Sequence, residues 1–293
     1  MRLSNGPPHR YEERPQCWVR PHIRHGPDRD HRSGDKLRSY KQASDEGDFG
    51  IAWHFSKVAG CREVRIKFLG VWDTVASVLV PRRDRLVPQL LTLPHTRRNP
   101  SVEVFRHAIA IDERRRMFRL NRWIEPQPFV KNPFVRSARR TEQDIKQVWF
   151  AGVHADIGGG YPEVESGLAK IPLDWMIREA TVHGLRINSV MRNHLVLGRP
   201  RAGAKTAFVK PDARAAAHNS LTWGWRPLEW IPKSRRWREW PRREIAGFYI
   251  PRAEPRLIQS ENGRPLIHQS VVDRMERTSY NPINLPNEYI IEH

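Results

Sequence analysis

The chain has 293 residues, 39% of them hydrophobic and 28% charged, which suffices for one large domain or two small ones and rules out a low-complexity tail as the main content. The formal net charge is +19, with an isoelectric point near 10.8. That balance favours anionic partners such as phospholipid headgroups, nucleic acid or an acidic protein, without choosing among them. No apolar run approaches the ~20 residues of a membrane span, and no apolar h-region follows the charged N-terminus. Synthesis in the cytoplasm is therefore expected, with any export by a route that needs no signal peptide. Cys17 and Cys61 form no CxxC pair and no metal-ligand spacing, so they read as free thiols in a reducing compartment.

Residues 1–43 are rich in Pro, Arg, His and Gly and show no sustained period; they are expected to be an irregular basic arm. Residues 64–73, VRIKFLGVWD, alternate and then run continuously apolar, as in a strand entering the middle of a sheet. Residues 101–118 are read as a helix with Val104, His107, Ala108 and Ile111 on one face. Glu113 and Arg114–Arg116 then fall on its solvated side. The Pro-rich stretch 124–140 reads as loop. Residues 146–154 repeat the apolar strand pattern and end at His154, followed by the loop Ala155–Tyr161 with Gly158, Gly159 and Gly160. A helix is expected from Pro172 to His183, burying Leu173, Met176, Ile177 and Ala180, with Gly184 past its end. Residues 219–243 interleave five Trp with Arg, Lys and Pro. They fit a lid or cap that buries those rings, an interfacial lipid patch or a base-stacking surface. Residues 267–275 read as a short helix. Strands alternating with helices indicate an α/β fold with a parallel sheet, although only two strands are evident.

Asp73 and His154 each close an apolar strand, and in an open α/β sheet that edge is where sites form. An acid followed along the chain by a histidine fits the last two members of the triad order in α/β-hydrolases. His154 would take the nucleophile's proton, and Asp73 would fix its tautomer and stabilise the imidazolium. The plain structural reading has Asp73 capping a turn and His154 as a satisfied core histidine. The three glycines could form an anion nest or a turn needing positive φ. His154 and Asp156 have metal-like spacing but lack a third ligand, so no metal and no cofactor are expected. His268 also lies downstream of Asp73 and rivals His154 as the base.

Five segments, IKFLGVWDTVASV (66–78), RHAIAIDERRRMF (106–118), QVWFAGVHADIGGGY (147–161), PLDWMIREATVHGL (172–185) and IHQSVVDRM (267–275), together resemble the catalytic domain of the type VI secretion phospholipase effectors of the first lipase class. The resemblance runs in family order from about residue 44 to about residue 286. It implies an α/β-hydrolase acting on phospholipid esters through Ser, Asp and His, with Asp73 and His154 at the family's acid and base positions and His268 in a structural place. Ahead of the GVWDTV motif the family carries a GFSRGA-like nucleophile elbow and an earlier FFDGT-like strand. The serines ahead of Asp73 are Ser4, Ser33, Ser39, Ser44 and Ser56, and none stands in G-x-S-x-G. The resemblance thus implies residues 44–293 as the C-terminal part of the domain, an incomplete α/β-hydrolase-like sheet without its N-terminal strands and elbow, and inactive alone. A complementing N-terminal hydrolase fragment is then the expected partner. The alternative is a non-catalytic protein that binds an anionic lipid surface or an intact partner subunit; nucleic acid is not expected, since no reader motif is visible.

Overall fold

The computed structural model describes residues 64–75, 78–80, 89–91, 96–130, 140–235, 238–261 and 263–293. The arm expected over 1–43, both cysteines and the five serines ahead of Asp73 lie outside these residues. In chain order the strands are β1 (Ile66–Trp72), β2 (Val78–Val80), β3 (Gln89–Leu91), β4 (Val102–Ala110), β5 (Pro128–Val130), β6 (Arg140–Glu142), β7 (Asp144–Phe150), β8 (Lys233–Ser234), β9 (Phe248–Tyr249), β10 (Leu266–His268) and β11 (Ile290–Glu292). The helices are α1 (His154–Gly158), α2 (Lys170–Val182), α3 (Ser189–Leu195) and α4 (Gln269–Arg277). Residues 65–293 form one compact unit.

The centre of that unit is a five-stranded sheet in the order β1-β4-β7-β10-β11, parallel at every pairing. The fold is α/β, as its sequence pattern implies. An all-parallel sheet has to be covered on both faces, and alternation along β4 and β7 provides the two sides. Ala108, Ala110, Val148 and Phe150 pack with Trp175 and Met176 of α2. Ile109, Ile111, Trp149 and Ala151 pack with Ile258, Ile267 and, from α4, Val271. Burial on both faces is the reason the end of β7 reads as a continuous apolar run.

Four expectations are corrected. Residues 101–118 contain no helix: Val102–Ala110 is β4, between β1 and β7. Arg106 and His107 within β4 are buried with partners. Arg106 bonds Asp144 and Glu179, and His107 Nε2 accepts from the Thr74 amide at 3.2 Å. The helix expected at 172–183 exists, but its innermost residues are Pro172, Trp175, Met176 and Ala180, with Leu173 and Ile177 only half-buried. The loop expected over 124–140 holds β5 and the start of β6, which pair antiparallel. The tail segment splits into β10 and α4, and with β4 and β11 this raises two evident strands to five.

Trp175 is fully buried between α2 and the sheet. Trp175→Ala should lower the unfolding free energy by about 3–5 kcal/mol, read from urea unfolding curves of the two proteins.

Candidate active site

Asp73 is the first residue past β1, and its backbone has φ 39°, a left-handed conformation that a side-chain-bearing residue adopts only when its surroundings impose it. The imposing contacts come from β4. The Asp73 amide donates to the Ala108 carbonyl at 2.7 Å, and the Ala110 amide donates to Asp73 Oδ1 at 2.9 Å. The carboxylate is fully buried. It is met by the guanidinium of Arg256, whose Nη1 donates to Oδ1 and whose Nη2 donates to Oδ2 at 3.0 Å. Burial alone would raise the pKa of Asp73. The adjoining Arg256 charge, the His154 hydrogen bond and the Ala110 amide reverse this and hold the carboxyl well below the usual carboxylate range. Arg256 is buried as well, and it also donates to the carbonyls of Ala110 and Phe118 at 3.2 and 2.7 Å.

His154 opens α1, four residues past the end of β7. Its Nδ1 lies 2.6 Å from Asp73 Oδ2. An ionised carboxylate only accepts, which assigns the proton to Nδ1 and leaves Nε2 as the acceptor in the neutral ring. Among the described residues Nε2 has no hydrogen-bond partner, and the side chain is 30% exposed. Phe118 meets the ring edge-on at a centroid distance of 5.1 Å. His268 is elsewhere: its ring stacks on Phe150, and its Nδ1 accepts from the Ser270 amide at 3.2 Å to cap α4. Burial pushes its pKa down to about 4.

The turn that delivers His154 is built from glycine and two acids. Gly152 has φ 124°, and a Cβ there would fall 2.6 Å from Asp156 Cβ, so no other residue fits without displacement. Its amide donates to Asp112 Oδ2 at 2.7 Å, stapling the ends of β4 and β7. Glu113 accepts from the His154 amide at 3.2 Å and from the Ser220 hydroxyl at 2.9 Å. Burial would raise the Glu113 pKa, but its bonds to Arg115 lower it. Glu113 and Arg116 are therefore buried parts of an irregular loop, not the solvated helix face expected from their charge. The glycines after His154 close a helix. Gly159 has φ 79° and, with Gly160, donates to the Ala155 carbonyl at 3.0 and 2.9 Å. The turn reading holds, and those two amides are not available as an anion nest.

Asp156 does not share a partner with His154. Its Oδ1 lies 2.6 Å from His218 Nδ1, and its Oδ2 accepts from the amides of Val153 and His218 at 3.0 and 3.2 Å. Glu165 Oε2 stands 3.0 Å from His218 Nε2, and Tyr161 stacks on the ring with centroids 3.4 Å apart. Partial burial opposes protonation of His218, but the bonds to Asp156 and Glu165 outweigh it and raise its pKa. Among the described residues no group of three His, Cys, Asp or Glu is placed to hold a metal ion.

Arg256, Glu113 and His218 had no signal in the sequence beyond their residue type, because each acts across a long chain separation. Within 219–243, Trp223 and Trp230 are 87% and 59% exposed, Trp225 and Trp240 are half-buried, and Trp225 stands edge-on to Phe118 at a centroid distance of 5.5 Å.

The profile described as "T6SS, Phospholipase effector Tle1-like, catalytic domain" matches residues 16–179, more than half of the chain. The match contains Asp73, Glu113, His154 and Asp156 and ends before His218 and Arg256. No curated protein and no solved structure matches the chain.

Two outcomes are expected from this geometry. Asp73→Asn leaves a buried guanidinium without its counter-ion and should cost about 3–5 kcal/mol of stability. Combining it with Arg256→Met should cost less than the sum of the single changes, with a coupling of roughly 0.5–3 kcal/mol in a double-mutant cycle by urea unfolding. The raised pKa of His218 means that its contribution is full below the ordinary histidine value of ~6.5 and is lost as pH rises through the raised value. The melting-temperature difference between wild type and His218→Gln should therefore shrink as pH is raised from neutral into the alkaline range.

Proposed function

The chain belongs to the Tle1-like catalytic-domain family of type VI secretion (T6SS) phospholipase effectors, and from that premise we propose that it carries the acid–base half of a serine-hydrolase site for phospholipid esters. The observation that carries the reading is the 2.6 Å bond from His154 Nδ1 to a buried, ionised Asp73, with Nε2 on the other side of a ring whose side chain is partly exposed. A serine hydroxyl brought to Nε2 would give up its proton there as its Oγ attacks the ester carbonyl. Asp73 would stabilise the imidazolium, and the same proton would pass to the departing alcohol oxygen. Water activated by Nε2 would then release the acyl group and regenerate the serine.

The nucleophile is proposed to come from a segment outside these 293 residues. No serine anywhere in the sequence stands in G-x-S-x-G, the turn that raises a nucleophile above the sheet. Ser220, which is linked to the site, gives its hydroxyl proton to Glu113 at 2.9 Å. The chain by itself is then hydrolytically silent, and its family supports delivery by type VI secretion.

A phospholipid hydrolysis assay of the purified chain tests this, with and without a co-expressed segment carrying the family's elbow and preceding strands. The chain alone should show background rates and the mixture should turn over. Asp73→Asn or His154→Ala in the mixture should reduce turnover by about 10⁴-fold. Hydrolysis by the chain alone that vanishes in His154→Ala would refute the missing nucleophile. A folded, associated mixture that hydrolyses nothing would leave the non-catalytic binding protein as the reading.

A further inference from the structure

The exposed large aromatic side chains of the described residues, Trp223, Trp230 and Phe248, all lie within 223–248. Phe248 has a specific setting. It and Ile245 close a β-hairpin: the Ile245 amide donates to the Phe248 carbonyl at 2.9 Å, and the Phe248 amide returns the bond at 3.0 Å. The two residues between them, Ala246 and Gly247, have φ 51° and 79°, the type I′ geometry. Residues directly opposite in such a pair project their side chains to the same face. Ile245 and Phe248 thus stand side by side, 69% and 52% exposed.

This tip departs from what a soluble hairpin favours. A type I′ turn ordinarily takes Asn or Asp at its first central position, whereas Ala246 has no side-chain group to support a left-handed backbone. The tip reads Ile-Ala-Gly-Phe, without a polar side chain. Its base is firmly held. The next residue, Tyr249, is buried and accepts from Arg116 Nε at 3.0 Å, and the Arg235 amide donates to the Gly247 carbonyl at 2.8 Å.

Arginines surround the tip. Arg235 and Arg238 reach Glu244, next to Ile245, at 3.6 and 3.3 Å, Arg242 donates to the buried Glu254 at 2.5 Å, and Arg243 precedes Glu244 in the chain. Between residues 221 and 252 eight Arg and Lys face three Glu. Two apolar side chains are far less than the ~800 Å² per partner of a stable protein–protein contact. They suit an interface into which a few side chains dip while cations hold the surface charge.

We propose that the Ile245–Phe248 hairpin is a membrane-surface anchor, its apolar tip entering the headgroup–acyl boundary of an anionic phospholipid layer while the neighbouring arginines hold lipid phosphates. The anchor is tied to the candidate site. Arg116, which bonds Tyr249, also donates its amide to Glu229 at 2.7 Å and sits in the loop that carries Glu113 and Phe118 against His154. Docking through the tip would give that loop a fixed relation to the lipid surface. Binding is read without turnover, so the anchor stands or falls separately from hydrolysis.

The test is co-sedimentation of the full chain with phosphatidylcholine vesicles, with and without phosphatidylglycerol, at low and high salt. Binding should require phosphatidylglycerol, weaken as salt rises, and fall by about tenfold or more when Ile245→Asn and Phe248→Asn are combined. Ile283→Asn, which alters an apolar residue 81% exposed elsewhere on the chain, should bind as wild type does. Circular dichroism and melting temperature should be unchanged in both variants. Absence of binding to anionic vesicles, binding unaffected by the tip changes, or an equal loss in the Ile283 variant would each overturn the proposal. Sedimentation velocity showing a dimer that the tip variant dissociates, with no vesicle binding, would assign the tip to self-association and overturn it as well.

Discussion

A fully buried carboxylate is the feature to which the rest of the site is fitted. Asp73 has no access to water, and an ion that far inside is tolerable only with a counter-charge and a full set of hydrogen bonds. Arg256 supplies the charge from 183 residues away in the chain, and Ala110 and His154 complete the donors. The same guanidinium binds the carbonyls of Ala110 and Phe118. The end of β1, the end of β4, the loop beneath His154 and the segment before β10 therefore meet at one ion pair. Its geometry also restrains the proposed chemistry. With Oδ1 taken by Arg256 and Ala110, the Oδ2 edge faces His154 and sets the ring's tautomer and direction.

His154 is held by its backbone as firmly as by its ring. Glu113 accepts its amide, Asp156 accepts the amide before it, and Gly152 gives the turn a backbone that leaves room for Asp156. Both acids lie at the start of α1, where the unpaired amides of a helix welcome negative charge. Each acid also reaches outward, Glu113 to Ser220 and Asp156 to His218. The residues that seat the proposed base are thus the ones that fasten the 218–220 stretch to it.

What could be read from the sequence follows from how each feature is encoded. β1 and β7 were legible because each ends in an apolar run, half-buried in β1 and fully buried in β7, and Asp73 and His154 were legible because they follow such runs directly. β4 was misread as a helix for a related reason. Glu103 and Arg106 interrupt its apolar pattern at helical spacing, and nothing local reveals that Asp144, Glu179 and Thr74 give Arg106 and His107 buried partners. β10 and β11 are three residues long, too short for a period to register. Arg256 and His218 were illegible in principle, since their roles depend on partners 183 and 62 residues away. The arginine excess further hid Arg256, because one buried arginine looks like any other in a chain this basic.

Residues 219–243 were expected as a lid or cap, and the stretch from about 210 to 260 that contains them is fastened to the site largely through polar groups. A lid rests on a site through a small apolar core and can swing away at modest cost. This segment is joined to the site through buried polar groups: His218 to Asp156, Ser220 to Glu113, Glu229 and Tyr249 to Arg116, and Arg256 to Asp73. Lifting it as a body would strand a carboxylate and a guanidinium together, the kind of loss that a buried pair resists most strongly. A substrate of the proposed site would therefore have to enter with these attachments in place. The strongly exposed side chains, Trp223, Ile245 and Phe248, fall between the attachment points and are free to meet a surface without disturbing the acid–histidine pair beneath them.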